Sequence, residues 1–434
     1  MARKVFISFL GTNNYIETIY QFSNGEKSSP VRFVQEALIL SECMNWTDED
    51  KILIFCTKKA EGKNWFNNGH EKVNDEIERI GLEQRLKDNF AKFNIVEKVS
   101  IPEGFSEDEI WGIFNIVYGK LQAQDNVYFD VTHAFRSIPL FSTVLFNYSR
   151  FMIGTNVVSI KYGAFEKLGT YIEVKNMPIE ERVAPIVDLT NVIRLQQFTD
   201  MANSLTSFGR VNKISQMLSE QNNSLNPFLE KMSKAVENFD NHLLSNDMLA
   251  IKGGRDIIEI KNNIKQVRKA SIPDPIKKVI EKLDRELSGF VKENSNKNIE
   301  EAIRWTVKYK MLAQAYTLGL EYIKRLFVEK FSEKNPFCHK SASENRKDFQ
   351  EYFSALCGIS QKDIDSGNFK GSLSEHMDLT LEFLGLDLIQ ELRCYYSKLG
   401  KNRNTINHAK GDVTYNDLVN EFEDPYNKCV ELLK

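Results

Sequence analysis

Over roughly the first 175 residues, apolar runs of strand length alternate with amphipathic stretches of helix length, and beyond about residue 188 the runs stop. The strand-like runs lie at residues 5–10, 51–57, 126–132 and 157–162, with a further strand expected near 94–99. Between them, helical periodicity covers 31–44, about 70–93, 107–122 and 138–151. Strands separated by helices predict a mostly parallel, doubly wound sheet with helices on both faces. Residues 157–163 and 170–174 read as an antiparallel hairpin at its edge.

From there to the end only helix periodicity is left. It marks segments such as 194–205, 211–218 and 226–239, then a Lys-, Glu- and Ile-rich region from 251 to 292 punctuated at Gly253-Gly254 and Ile272-Pro273-Asp274-Pro275. A strong helix is expected over 298–331, a polar loop or short-helix insertion over 332–371, a helix over 382–399 broken at Gly400, and a last helix over 415–433. A chain of 434 residues exceeds one ordinary core. The fold class expected is therefore α/β plus all-α: a sheet domain over 1–182, a helical connector over 183–297 and a helical domain over 298–434.

Composition narrows the function. The chain is 42% apolar and 27% charged, with no run of about 18 apolar residues, so a soluble cytoplasmic protein without membrane contact is expected. The first residues enter a strand-like run at once, and no secretion signal is expected. Six cysteines without C-x-x-C spacing argue against a zinc ribbon or a disulfide framework. A net charge of -3 provides no overall basic field, so any contact with nucleic acid must be local.

Three loops concentrate polar chemistry. In doubly wound sheets ligands bind at the carboxyl ends of the strands, and there the chain places Gly11-Thr12-Asn13-Asn14, Thr57-Lys58-Lys59 and Asp130-Val131-Thr132-His133-Ala134-Phe135-Arg136-Ser137. The third groups hydroxyls, an imidazole, a guanidinium and helix-start amides, all suited to phosphate-rich ligands. An alternative stays open, in which Thr132 and Ser137 cap the next helix while His133 and Arg136 satisfy backbone carbonyls. His133 has no neighbouring nucleophile and no H-E-x-x-H spacing, which favours binding over catalysis. The Gly11 loop lacks both the G-x-G-x-x-G and the P-loop pattern, which disfavours ordinary NAD or ATP binding; it is also good turn chemistry in its own right. Near the C-terminus, Arg403-Asn404-Thr405-Ile406-Asn407-His408 offers a bidentate phosphate donor and a group able to move a proton at neutral pH. That pair suits RNA cleavage by the neighbouring 2'-hydroxyl, with no metal required. A solvated helix end has the same appearance.

Taken together, both ends resemble the CARF-HEPN ribonucleases of type III CRISPR systems. The resemblance rests on Phe9-Leu10-Gly11-Thr12 with Tyr15, on the Asp130 to Ser137 segment, on Tyr162-Gly163 with Glu166, and on Arg403-Asn404 to His408, which matches the HEPN pattern Arg-x4-6-His. It implies a Rossmann-like CARF domain that dimerises and binds a cyclic oligoadenylate across the two-fold axis, cyclic tetra-adenylate being the favoured ring. The activator then switches a HEPN dimer that cuts single-stranded RNA, with no metal or other cofactor. Gly11, Thr12, Asn13, Lys59, Asp130, Thr132, His133, Arg136 and Ser137 are the expected ligand-binding residues; Arg403, Asn404 and His408 are the expected catalytic ones. Ala134 stands where relatives often have Gly, which leaves ring size and loop geometry open. Slow cleavage of the activator by the sensor is also open. Two other readings compete: a nucleotide-sensing transcriptional regulator with a helical DNA reader, and a HEPN domain kept only for dimerisation. The mildly acidic chain and its Arg403/His408 pair weigh against the regulator.

Overall fold

The computed structural model describes residues 2–70, 79–133, 138–210, 227–269, 273–408 and 414–434. The chain divides into two compact units, Met1–Gln197 and Phe198–Lys434.

The first unit is built on a seven-stranded sheet in the order β2-β7-β6-β5-β1-β3-β4. Its strands are β1 (Lys4–Phe9), β2 (Ile19–Gln21), β3 (Lys51–Cys56), β4 (Val96–Ser100), β5 (Asn126–Asp130), β6 (Asn156–Gly163) and β7 (Val183–Asp188). All neighbours pair parallel except β6 with β7. Helices α1 (Val34–Glu42), α2 (Leu82–Asn89), α3 (Glu107–Gly119), α4 (Ile138–Ile153) and the short α5 (Tyr171–Asn176) connect them. The apolar runs follow from this architecture, since a parallel strand covered on both faces must be apolar at odd and even positions alike. In β1, Val5, Ile7 and Phe9 pack with Ile113, Phe114, Leu145 and Phe146 of α3 and α4. Phe6, one residue out of phase, packs in the other core with Val34, Ala37 and Leu38 of α1 and Leu82 and Leu86 of α2. Phe55 is fully buried, and its truncation to Ala is expected to cost about 3–5 kcal/mol.

The boundary between the units falls within α6 (Thr190–Phe208). Helices α7 (Pro227–Leu244), α8 (Met248–Gly253), α9 (Arg255–Lys269), α10 (Asp274–Glu286), α11 (Asn296–Lys308), α12 (Leu312–Lys330), α13 (Ala342–Gly358), α14 (Met377–Leu384), α15 (Asp387–Asn407) and α16 (Tyr415–Leu433) follow, with shorter turns between them. No strand occurs among the described residues of the second unit. Its core is aromatic, with Phe327 stacked on Phe353 at 4.3 Å and Tyr316 edge-on to Phe422 at 5.0 Å. Among the described residues no helix is long and apolar enough to cross a membrane.

Four sequence expectations are corrected. Residues 170–174 form no strand: Thr170 and Glu173 close a capping box, with the Glu173 carboxylate accepting from the Thr170 amide at 2.7 Å, and this starts α5. The antiparallel partner of β6 is β7, in residues expected to belong to the connector; Pro185, which has no N–H to give a ladder, masks its strand signal. The helix expected over 298–331 is two, because Lys310 turns the chain in the left-handed region at φ 59°. Residues 332–371 are not mainly loop: Ser341 caps α13, which buries Phe349, Tyr352, Phe353 and Leu356 on one face.

The helix over 382–399 also requires correction, and this one moves a candidate site. It does not break at Gly400. Glycine inside a helix costs only about 1 kcal/mol, and buried Leu399 and Asn402 hold α15 together through to Asn407. The expected helix over 211–218 lies outside the described residues, as does the middle of that expected over 70–93, of which Leu82–Asn89 is helical.

Candidate functional site

After the short β2 at the far edge, the chain builds β3 and β4 on one side of β1 and then crosses back to β5 and β6 on the other, so the connections reverse direction between β1 and β5. Loops that part at such a point leave a crevice at the carboxyl ends of the strands. A cavity of about 800 Å³ lies there, lined by residues that follow β1 (Asn13, Asn14, Tyr15, Ile16), β5 (Thr132, His133) and β6 (Phe165, Glu166), together with Arg32, Arg79 and Lys175.

Buried polar groups fix its walls. Asp130 is fully buried and accepts from the Ser8 hydroxyl at 2.7 Å and from the Thr132 amide at 2.9 Å; Gln35 in turn donates to Ser8 at 3.1 Å. Burial raises the Asp130 pKa, while the bonds from Thr132 and Ser8 pull it down. The Thr132 hydroxyl accepts from the Gly163 amide at 2.8 Å, tying the end of β5 to the end of β6. Behind the loop after β1, buried Asn64 donates to the carbonyls of Gly11 and Asn13 at 2.8 and 2.9 Å and meets His70 at 3.0 Å. The loop after β1 is thus pinned by its own backbone oxygens.

Tyr15 and His133 form a ring wall with centroids 4.4 Å apart. Burial pulls the His133 pKa down to about 4, so its imidazole is neutral at pH 7 and offers one donor and one acceptor. Burial raises the Tyr15 phenol, which also stays neutral. Gly11 is required by close approach, because a Cβ there would come within 2.0 Å of the Tyr15 hydroxyl. The formal charges on the lining are Arg32, Arg79 and Lys175 against Glu166, leaving the cavity cationic. A cationic crevice with neutral hydrogen-bonding rings is suited to an anion that carries flat aromatic groups.

Of the ligand-binding residues expected from sequence, Asn13, Thr132 and His133 line the cavity. Gly11 and Asp130 lie behind it as supports, and Thr12 is not in its lining. Lys59 is not in the lining either; it is on the β3 side, where its backbone amide donates to Glu103 at 3.3 Å. Arg136 and Ser137 lie outside the described residues. Sequence reading missed Arg32, Arg79, Asn64 and Lys175. Only Arg32 left a signal: a cation just before a helix N-terminus opposes the helix dipole.

The C-terminal candidates occupy the last turn of α15. Arg403 is half-buried, and its Nη2 donates to the Asn404 side-chain oxygen at 3.2 Å; its Nε has no hydrogen-bond partner among the described residues. Asn404 and His408 are exposed, and the His408 amide closes the helix on the Asn404 carbonyl at 2.9 Å. Buried Asn402 anchors this turn, donating to Tyr316 of α12 at 3.1 Å and to Glu421 of α16 at 2.8 Å. A guanidinium, an amide and an imidazole are thus carried on one anchored, open helix end.

No protein-family model matches the chain. It is 23% identical over 323 residues, 66% of its length, to "CRISPR-associated protein MJ1674" of Methanocaldococcus jannaschii. The match covers 49% of that relative, so the chain spans about half the length of the curated protein it resembles.

Proposed function

We propose that the chain is a ribonuclease switched by a cyclic oligoadenylate, acting in CRISPR-linked defence. The observation that carries this reading is the cationic, ring-walled cavity at the β1/β5 reversal, in a chain similar to a CRISPR-associated protein. A cyclic oligoadenylate matches that cavity in kind, with phosphodiesters for the cations and adenines for the rings. Its two-fold symmetry suits two copies of the chain, each presenting the same loops to half of the ring.

In the second unit, cleavage follows from the residues on α15. The 2'-oxygen of the RNA attacks the adjacent phosphorus, and the bond to the 5'-oxygen breaks, leaving a 2',3'-cyclic phosphate. Arg403 holds the non-bridging oxygens as they gain charge, and Asn404 orients it through the 3.2 Å bond. His408 gives a proton to the departing 5'-oxygen, while the 2'-hydroxyl proton leaves to a second base. Arg403 and His408 are five positions apart, about 140° around a helix. Two copies face to face bring two of each to one phosphate, and the second histidine is then that base.

The test is a fluorogenic single-stranded RNA incubated in EDTA with purified protein, with and without cyclic tetra-adenylate. Cleavage is expected only with the activator. Shifting of duplex DNA by the liganded protein, with no RNA cut, favours a regulator instead.

A further inference from the structure

Arg32 is placed as few arginines are. It is 9% exposed, lines the cavity, and lies over the Phe33 ring at 5.2 Å. Its Nη1 donates to the Ile80 carbonyl at 3.2 Å, but its Nη2 is buried with no hydrogen-bond partner among the described residues. Among the described residues no carboxylate pairs with it. Glu36, whose charge reaches it, uses one oxygen for the Phe33 amide at 3.0 Å and the other for Arg85 at 2.7 Å. Burial lowers the Arg32 pKa, and neighbouring Arg79 and Arg85 lower it further. A buried, unpaired guanidinium is costly unless something that visits the site repays it. The Tyr15 hydroxyl, on the same cavity wall, is likewise buried with no hydrogen-bond acceptor among the described residues.

Resting on the sensor reading above, we infer that Arg32 is the anion anchor of the cavity, taking one phosphate group of a nucleotide ligand on its free Nη2, with the Tyr15 hydroxyl as a second donor. A phosphate oxygen supplies the acceptor that both groups lack, and its charge answers the surplus left by Arg32 and Arg79. Arg85 takes no part, because Glu36 and Glu17 occupy it at 2.7 and 3.3 Å.

The probe is inorganic phosphate against chloride at matched ionic strength, followed by adenosine 5'-monophosphate and uncharged adenosine, in full-length protein. Phosphate and the monophosphate are expected to raise Tm, and Arg32→Gln to weaken both by at least about tenfold while leaving adenosine unchanged. In the wild-type protein, the Arg32 side-chain N–H resonance, assigned by its loss in Arg32→Lys, is expected to move on adding phosphate. That measurement decides the matter even if Arg32→Gln fails to fold. No response of the wild-type protein to phosphate, or an unchanged response in Arg32→Gln, overturns the inference. Phosphate held through Arg32 with no RNA cut on adding cyclic tetra-adenylate leaves the anchor standing and removes the ribonuclease-switch reading. Full activation of Arg32→Gln at wild-type ligand concentrations does the reverse.

Discussion

The two candidate sites are built in opposite ways. Around the cavity of the first unit the supporting polar groups have fixed partners: Asp130 holds Ser8 and Thr132, Thr132 holds Gly163, and Asn64 holds the Gly11 loop. Against that framework the Nη2 of Arg32 and the hydroxyl of Tyr15 stand out, buried with no acceptor among the described residues. At the end of α15 the supporting residue, Asn402, is buried, while Asn404 and His408 face solvent. A recessed crevice with fixed walls is suited to hold a ligand selectively, and its charge is strengthened by desolvation. An open helix end binds little by itself and works once a second surface closes over it. In the function proposed above, the first is the sensor and the second the effector awaiting assembly.

The largest effect expected from this contrast is at the open end. His408→Ala or Arg403→Ala is expected to lower RNA cleavage by about 10²- to 10⁴-fold, with unchanged affinity for cyclic tetra-adenylate in a calorimetric titration. Next is Gly11→Val. Its branched side chain displaces the Tyr15 hydroxyl, now 2.0 Å from where a Cβ would be, and pushes on His133. We expect a loss of about 1–3 kcal/mol in denaturant unfolding and at least a tenfold loss of ligand affinity. His408→Ala and Gly11→Val thus separate cutting from sensing, and equal loss of both functions in either variant breaks the comparison.

A smaller effect concerns pH. The His133 pKa falls from 6.5 to about 4 on folding, because burial disfavours the charged ring. Above pH 6.5 the folded and unfolded states are both neutral at this residue. As pH falls from 6.5 toward 4 the unfolded chain takes up a proton that the folded one does not, and about 1–3 kcal/mol of stability is lost. His133→Gln is expected to flatten that part of the stability profile in urea melts at stepped pH. The smallest effect is at Lys59, whose place on the β3 side predicts less than about a twofold change in ligand affinity for Lys59→Ala; a larger one extends the binding surface beyond the cavity.

How much of this was legible in the sequence depends on the range of the interaction. β1, β3, β5 and β6 are readable because two-sided burial makes each a largely apolar run, while the edge strand β4, with Glu97 and Lys98, is only weakly marked. Two are not: β2 is three residues long, and β7 carries Pro185. The Asp130 and Gly11 loops are readable as strand-end polar clusters. That Asp130 supports while Thr132 faces the cavity is decided by Ser8 and Gln35, which are distant in sequence. Arg32, Asn64 and Arg79 reach the site from outside the strand-end motifs, and no local pattern marks Asn64 or Arg79. Gly400 reads as a stop only because the packing of Leu399 and Asn402 that overrides it is tertiary.

The division of labour is tested most directly by one experiment: cyclic tetra-adenylate titrated into wild-type, Thr132→Val and His408→Ala proteins, with RNA cleavage and ligand binding read in parallel. The account predicts that Thr132→Val, which loses the hydroxyl that accepts from Gly163, needs more ligand but reaches the wild-type maximal rate. It predicts that His408→Ala binds as wild type does and cuts RNA at least about 100-fold more slowly. A Thr132→Val protein with a lowered maximum and an unmoved midpoint, or a His408→Ala protein that cuts RNA near the wild-type rate, would contradict it.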